Sequence, residues 1–364
     1  MKAAVLNTVP GLLAIEDIEI GEPGPREVLI RTVAAGICHS DLHFMEGKYP
    51  AQCPSVLGHE SAGVVQAVGS MVRYVEPGDH VITCLSAFCG HCSQCTDGHP
   101  SRCENKDTEL VRQPGDTPRL RRNGETVNQF LHLSSFAESM LIHEHALVKI
   151  DKNMPLDMAA LIGCGVTTGL GAVFRTAQVS PGEMVAVVGC GGIGLSAVQG
   201  ARIAGANTII AVDKAQSKLE LAQVMGATHV IDASKVDAVQ AVKQISGEGV
   251  HHAFEAVGMK ATAEQSFQML RRGGQATIIG MVPVGTHIEV HGADLISEKK
   301  LTGSNMGSNQ FRTDMPRYVD MYLSGRLMLD EMVSRRISLE QINEGFENMK
   351  QGTVARSVIM FDEP

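Results

Sequence analysis

The stretch Val187-Val188-Gly189-Cys190-Gly191-Gly192-Ile193-Gly194 constrains this chain more than any other. The apolar run Met184 to Gly189 reads as a buried strand, and Ile193 to Ala204 reads as a helix. Between them lies G-x-G-x-x-G. In that setting Gly189 allows a tight turn, Gly191 allows a pyrophosphate to approach the backbone, and Gly194 lets helix and strand pack closely. Gly192 and Ile193 complete the same cofactor-binding loop, where free N–H groups at the helix start face the phosphates. The glycines alone are a weak signal. Asp213 strengthens them: it stands nineteen residues after Gly194, at the end of the next apolar strand, Thr208 to Val212. A carboxylate there accepts hydrogen bonds from both ribose hydroxyls and repels a 2′-phosphate, which favours NAD over NADP. The plainer reading of Asp213 is a turn residue. Lys218, one turn into the next helix, is either a ribose contact or a solvated helix lysine.

The alternation continues. Lys214 to Met225 reads as a helix, and Thr228 to Ile231, Ala253 to Val257 and Ala276 to Ile279 read as strands with helical stretches between them. Strands alternating with helices of about 10–15 residues predict a parallel sheet covered on both faces. Before about Gly165 the character differs. Short β segments (Val28 to Val33, Ala62 to Val68, His80 to Thr83) are bounded by Gly, Pro and Asp turns, which predicts an irregular β-rich domain. The tail, from about Met306, has two helical stretches and a last strand, Ser357 to Phe361, expected to return to the first domain. Two domains suit 364 residues. Residues 108–131 are polar, with two prolines and Arg119, Arg121 and Arg122, and read as a solvated loop or a contact surface.

Charge excludes some partners. With 31 basic and 40 acidic residues the net charge is −9, leaving no basic surplus for nucleic acid. The longest apolar runs fall short of the roughly 20 residues of a membrane span. Residues 1–20 lack a basic-then-apolar leader, so a cytoplasmic protein is expected. Nine cysteines in such a chain point to metal or catalysis rather than disulfides.

Four of the nine cluster as Cys89-x2-Cys92-x2-Cys95-x7-Cys103. Four thiolates at that spacing close a tetrahedral shell around one Zn²⁺ and leave no open position, so the site is expected to be structural. His91 and His99 are rival ligands, and a redox dithiol is the rival chemistry. A second set is dispersed: Cys38 in GICHSDLH (36–43), His59 in GHE (58–60) and Cys164 in Gly163-Cys164-Gly165. Two thiolates and an imidazole leave a fourth position open, as a catalytic zinc requires. Spacing does not decide this. Taken singly, Cys164 also reads as a buried small hydrophobe and His59 as a structural histidine.

Together these segments, with GCGVTTG (163–169), the glycine loop and Ala355-Arg356, resemble the zinc-containing medium-chain alcohol dehydrogenases over essentially the whole chain. The resemblance implies an α/β protein. A GroES-like β-rich catalytic domain would span 1–165, completed by 306–364, and a Rossmann NAD-binding domain would span 166–305, with the site in the cleft between them. It implies two zinc ions per chain: a catalytic one on Cys38, His59 and Cys164, and a structural one on Cys89, Cys92, Cys95 and Cys103. It implies that Glu60 lies near the catalytic metal and aids ligand exchange, and that Asp41 orients the liganding histidine. Ser40 would contact the alcohol and pass its proton through the ribose to His43. His39 and Arg356 would meet the pyrophosphate and Thr168 the nicotinamide. Tyr49, Leu85 and Leu141 are candidate pocket walls, wide enough for an aryl or branched group on a primary alcohol.

The chain also departs from the pattern. Met259 stands after Gly258, where many relatives carry a basic residue, and Gly47 and Asp107 stand near the anchors that glutathione-adduct enzymes use. The 108–131 insertion resembles that of dimeric members, so a homodimer is expected before a tetramer. Competing readings are a zinc-dependent polyol or secondary-alcohol dehydrogenase, a non-catalytic NAD-binding scaffold, and a thiol sensor on the Cys89–Cys103 loop. Cys53, Cys84 and Cys190 are left to packing.

Overall fold

The computed structural model describes residues 1–113, 115–352 and 355–361. Pro114 of the 108–131 segment, and Thr353, Val354 and 362–364 of the tail, lie outside the described residues. The chain forms two units, Met1–Cys164 with Gln310–Pro364, and Gly165–Asn309. The second runs a few residues past the expected end at 305. Gly307 is packed on Gly171, and the Thr168 hydroxyl donates to Met306 Sδ at 3.4 Å.

The Gly165–Asn309 unit holds a six-stranded sheet. Its order is His229–Asp232, Thr208–Asp213, Met184–Val188, Val250–Glu255, Leu270–Ile278, Lys300–Gly303. Every pairing is parallel. The helix Gly192–Ala204 follows Met184–Val188 in the chain, and Gln216–Met225 follows Thr208–Asp213. Sheet growth reverses direction between Met184–Val188 and Val250–Glu255, the kind of switch point where ligands settle beyond the carboxyl ends of strands. The sixth strand carries no apolar run to betray it. Lys300–Gly303 is a short edge strand flanked by Glu298 and Lys299, as charged edges usually are.

The other unit is β-rich. A seven-stranded sheet runs Leu147–Lys149, His80–Thr83, Ser61–Val68, Glu27–Gly36, Arg356–Met360, Val333–Ile337, with Ser139–His143 also paired to Glu27–Gly36. The tail's last strand pairs with Glu27–Gly36, Val358 opposite Gly36 and Met360 opposite Ala34. Ala35, Ile337 and Ile359 of this sheet share a core with Leu6, Leu57 and Phe136 and with Ile342 and Phe346 of the helix Ile342–Lys350.

The 108–131 segment is not the solvated loop its polarity suggests. It contributes Leu120–Arg122 and Glu125–Thr126 to a small sheet with Glu19–Ile20. Arg119 is 8% exposed. Its Nε donates to Glu27 Oε1 at 2.7 Å and its Nη2 to Leu110 O at 2.7 Å. Arg112 donates to Glu27 Oε2 at 2.6 Å. One buried carboxylate thus ties two arginines of the segment to the main sheet.

Residues Leu156–Ala177 form one helix of 22 residues, long and apolar enough by composition to cross a membrane. It exceeds any apolar run read from the sequence because small glycines and threonines leave its mean hydropathy high. Its most apolar window is 89% buried within the protein, as in a core helix.

Candidate functional site

Strand pairing assembles the first cluster. Ala35 lies opposite Ser61, so the chain leaving Glu27–Gly36 and the chain entering Ser61–Val68 meet. Cys38 follows the first strand as N-cap of the short helix His39–Met45, and His59 precedes the second. The Gly36 amide donates to Glu60 O at 2.8 Å and fastens the join. Cys164 arrives on a π-helical turn, Ile162–Val166, inside the long helix. Such turns insert an extra residue and recur at functional sites. Gly163 sits against Thr83 O and the Ser61 amide, which presses this turn onto the same sheet end.

The donor atoms of Cys38, His59 and Cys164 lie within 4.8 Å of one another, all buried. His59 Nδ1 faces Asp41 Oδ1 at 3.1 Å, and Asp41 Oδ1 also accepts from the Gly58 amide at 3.2 Å. His59 Nε2 is buried and has no hydrogen-bond partner among the described residues. An orphaned imidazole nitrogen is costly unless something binds it. Here it lies with two thiols and is oriented from behind by a carboxylate, as in metal-bound histidines. This donor set fits zinc with one position open.

The electrostatics agree. Burial opposes a charged His59, but Asp41 outweighs it and raises the imidazole to about 10. The Cys164 thiol hydrogen-bonds Cys38 and holds it well below the usual thiol range, while Cys164 itself is pushed up. Burial raises Asp41. A cation bound there would take the place of the His59 and Cys164 protons and pair with the Cys38 thiolate.

Around the trio, the Cys38 thiol lies 3.5 Å from Ser40 Oγ. One turn on, His43 stacks on Tyr49 with centroids 6.1 Å apart. Burial, then Lys48, lowers His43, so its imidazole is neutral at pH 7. His39 is exposed. Glu60 is fully buried and ion-paired to Arg356, itself 7% exposed. The guanidinium expected at a pyrophosphate thus meets the carboxylate expected near the metal. Gly36 is required here, since a Cβ on it would collide with the Glu60 carboxylate.

Of the expected wall residues, Tyr49 joins His43 and Phe44. Leu141 is fully buried in a strand opposite Leu29, and Leu85 packs on the core around Val28 and Ile30. Sequence reading missed Phe130, whose ring meets His59 edge-on at 6.1 Å and Phe44 at 4.8 Å. Only the nearby Leu131, His132 and Ser134, all at positive φ, mark that segment as special, and their residue types do not announce it.

The second cluster is local. Cys89 and Cys95 sulfurs are 3.9 Å apart, and those of Cys92 and Cys103 are 4.0 Å apart. A disulfide needs about 2.05 Å. A tetrahedron with Zn–S bonds near 2.3 Å has edges of about 3.8 Å, which these separations match. Amides of Cys89 and Cys92 donate to Cys103 and Cys89 sulfurs at 3.2 and 3.3 Å. Backbone N–H groups of Glu104 and Cys95 lower the Cys92 thiol to about 6, whereas burial drives Cys95 up to about 12. A cation held between the sulfurs would offset the burial that keeps the Cys95 proton in place. His99 is half-buried and pairs with Asp97.

The glycine loop lies in the second unit, between the strand Met184–Val188 and the helix Gly192–Ala204. Gly189 has φ +93°. A Cβ on Gly194 would collide with Gly189 O, whereas one on Gly191 would meet nothing within 4 Å. That open face is the approach a pyrophosphate needs. Gly192 and Ile193 begin the helix. Asp213 Oδ2 accepts from the Cys190 amide at 2.8 Å, and Oδ1 accepts from Lys214 and Ala215 amides at 2.7 and 2.9 Å. The carboxylate is thereby fixed at the strand end beside the loop. Lys218 is half-buried in the first turn of its helix, and Thr168 is buried. Cys190 is fully buried, which pushes its thiol up and leaves it inert. Met259 is exposed.

Comparison with known proteins reaches the whole chain. The alcohol dehydrogenase GroES-like domain matches residues 24–152, and the zinc-binding dehydrogenase domain matches 192–323. A probable S-(hydroxymethyl)glutathione dehydrogenase 1 of Schizosaccharomyces pombe is 36% identical over 368 residues, covering 100% of this chain and 97% of the relative. A zinc-binding-domain alcohol dehydrogenase structure from Burkholderia ambifaria superposes with a TM-score of 0.95 at 37% identity, covering 100% of this chain and 99% of that one. The benzyl alcohol dehydrogenase of Acinetobacter calcoaceticus gives 0.94 at 33% identity, covering 99% of each.

Proposed function

The chain belongs to the zinc-containing medium-chain alcohol dehydrogenases, and on that premise we propose that it oxidises primary alcohols, aromatic or bulky ones foremost, to aldehydes with NAD, reversibly. The observation that carries the reading is His59 Nε2, buried against the Cys38 and Cys164 thiols with no nitrogen or oxygen partner among the described residues and with Asp41 behind it. Cys38, His59 and Cys164 would hold a catalytic zinc, and Cys89, Cys92, Cys95 and Cys103 a structural one. When bound, zinc supplies the Lewis acid that makes a hydroxyl acidic near neutral pH, and the nicotinamide supplies the hydride acceptor.

This chain's residues do the rest. Asp41 fixes the tautomer and orientation of His59. Ser40 takes the substrate hydroxyl's proton, and the neutral His43 passes it toward solvent. Glu60, with Arg356 as counter-ion, places a carboxylate next to His59 without leaving a bare charge in the interior. Asp213 receives the adenosine ribose, and the Gly189–Gly194 loop the pyrophosphate. His39 and Thr168 complete the cofactor contacts.

Phe44, Tyr49 and Phe130 form an aromatic wall beside His59 and His43. That wall, and the likeness to a benzyl alcohol dehydrogenase, support an aryl substrate. A glutathione adduct is the second reading, favoured by the fission-yeast relative. Against it, Gly47 has no side chain, and Asp107 is paired to His132 at 2.8 Å. A homodimer in the cytoplasm, without nucleic acid or membrane partners, completes the proposal.

NADH formation decides between these readings. Benzyl and branched primary alcohols are expected to give higher kcat/KM than ethanol, secondary alcohols, polyols or S-(hydroxymethyl)glutathione. Preference for any of the last three overturns the substrate reading. Asp213→Gly is expected to raise the NADP:NAD ratio of kcat/KM at least about tenfold, equivalent to about 1.4 kcal/mol. An unchanged ratio removes Asp213 from cofactor choice.

A further inference from the structure

Cys89 belongs to two groups of potential ligands. Its sulfur is one corner of the four-cysteine cluster, and the same sulfur lies within 4.8 Å of donor atoms of His91 and Glu109, which are also within 4.8 Å of each other. The two groups differ in access. Cys92 and Cys103 are 8% and 7% exposed. The His91 and Glu109 side chains are 64% and 41% exposed and face each other, Nε2 to Oε2, at 3.1 Å. Asn105 Nδ2 steadies the carboxylate at 2.8 Å, and the His91 amide points at Cys89 Sγ at 3.5 Å. Nothing in the proposed dehydrogenation uses His91 or Glu109. An imidazole, a carboxylate and a thiolate converging at the surface are the ligand types zinc accepts.

We propose that Cys89, His91 and Glu109 form the exchange port of the structural zinc site, a surface station where a divalent cation is captured before it passes to the four thiolates or after it leaves them. The proposal rests on the reading that Cys89, Cys92, Cys95 and Cys103 hold zinc. A metal inside four thiolates has no free position, so exchange requires an incoming partner while one sulfur lets go. Cys89 can bridge two cations, because a thiolate sulfur keeps lone pairs after binding one. The incoming cation sits on His91, Glu109 and Cys89, and then takes over Cys92, Cys95 and Cys103 as the outgoing Zn²⁺ retreats to the exposed pair. One divalent ion replaces another, with no change in charge, protonation or oxidation state. The softer four-sulfur set holds either ion more tightly than the mixed set, which drives the loading of an empty site, whereas in exchange the excess of the incoming ion sets the direction.

The test uses zinc-loaded enzyme mixed with cadmium-113 ions and followed by cadmium-113 NMR, where a four-sulfur site and a two-sulfur, one-imidazole site resonate at different positions. His91→Ala and Glu109→Gln are expected to slow growth of the four-sulfur signal by about tenfold, the low end of what outer partners contribute at metal sites. The other signal should grow at the parent rate. If the His91–Glu109 pair only clasps the loop, both variants exchange faster, and that result overturns the port. An unchanged rate overturns it as well. Parent enzyme that holds zinc but gives no four-sulfur signal refutes the structural-zinc reading and the port together. A four-sulfur signal with unaltered kinetics refutes the port alone.

Discussion

The two cysteine-rich sites are built on opposite plans. The Cys89–Cys103 cluster gathers its four sulfurs from fifteen consecutive residues, and they are spaced by local turns and backbone N–H···S bonds. The Cys38–His59–Cys164 cluster takes its three from segments 21 and 105 residues apart (59 − 38 and 164 − 59), joined by strand register and one π-helical turn. The local site is saturated and lies where two of its members' neighbours are exposed. The assembled site is fully buried, one donor short of a closed shell, and has a carboxylate behind its histidine. Closing a shell from adjacent residues stabilises a loop. Leaving one position open, in an interior the fold must already have built, suits a substrate.

Removing one sulfur from each site tests that contrast. Cys164→Ala should reduce turnover by on the order of a thousandfold, as expected when several kcal/mol of Lewis-acid assistance is lost. NADH binding, read by fluorescence, should persist, because the glycine loop and Asp213 lie in the other unit. Retained turnover removes Cys164 from the ligand set. Cys92→Ser should instead act on stability. Zinc measured by elemental analysis should drop from two per chain to one, and Tm should fall by about 5–10 °C, as a loss of a few kcal/mol implies for a chain of this size. If Cys92→Ser leaves Tm and zinc content unchanged, the local cluster is not a metal site. Asp41→Asn sharpens the contrast further. It preserves shape but weakens the hold on His59, and is expected to cost 10–100-fold in affinity for the catalytic zinc. Metal dialysis against a chelator measures it, and equal affinity in parent and variant excludes an orienting role.

The same division governs what was legible in the sequence. The glycine loop and the tetracysteine loop are short, and every residue that matters lies within a turn or two of the next, so spacing carries the cysteines outright and the glycines once Asp213 is added. Asp213 falls at a fixed distance because one strand and one helix separate it from the loop. Cys38, His59 and Cys164 have no period, and only a likeness to known enzymes joined them before the sheet register did. Phe130 against His59 had no signal at all. Neither had the strand Lys300–Gly303, whose position comes from a neighbour's open edge rather than its own residues. The 108–131 segment is the plainest case. Its polarity suggested solvent, yet Arg119 is buried because its partner, Glu27, stands 92 residues away.

That ion cluster gives the smallest effect and the one with a pH signature. Burial raises Glu27, but Arg112, Arg119 and the Gly24 amide outweigh it and hold the carboxyl at about 2, against an ordinary value of 4.5. A group whose pKa is depressed by folding stabilises the fold above its unfolded value and loses that contribution as pH falls toward its folded one. The stabilisation from Glu27 should therefore be complete above about pH 5 and decline between pH 4.5 and 2. Its size, discounted for solvent at this edge, is on the order of 2 kcal/mol. Glu27→Gln should lower stability at pH 7 and flatten the slope across that window, measured by urea unfolding at each pH. It should also expose the 108–131 segment to protease first, since the buried Arg119 and the half-buried Arg112 lose their counter-charge. An acid slope equal to the parent's would show that the arginines hold the segment without Glu27, and that this region is as locally built as the cysteine loop beside it.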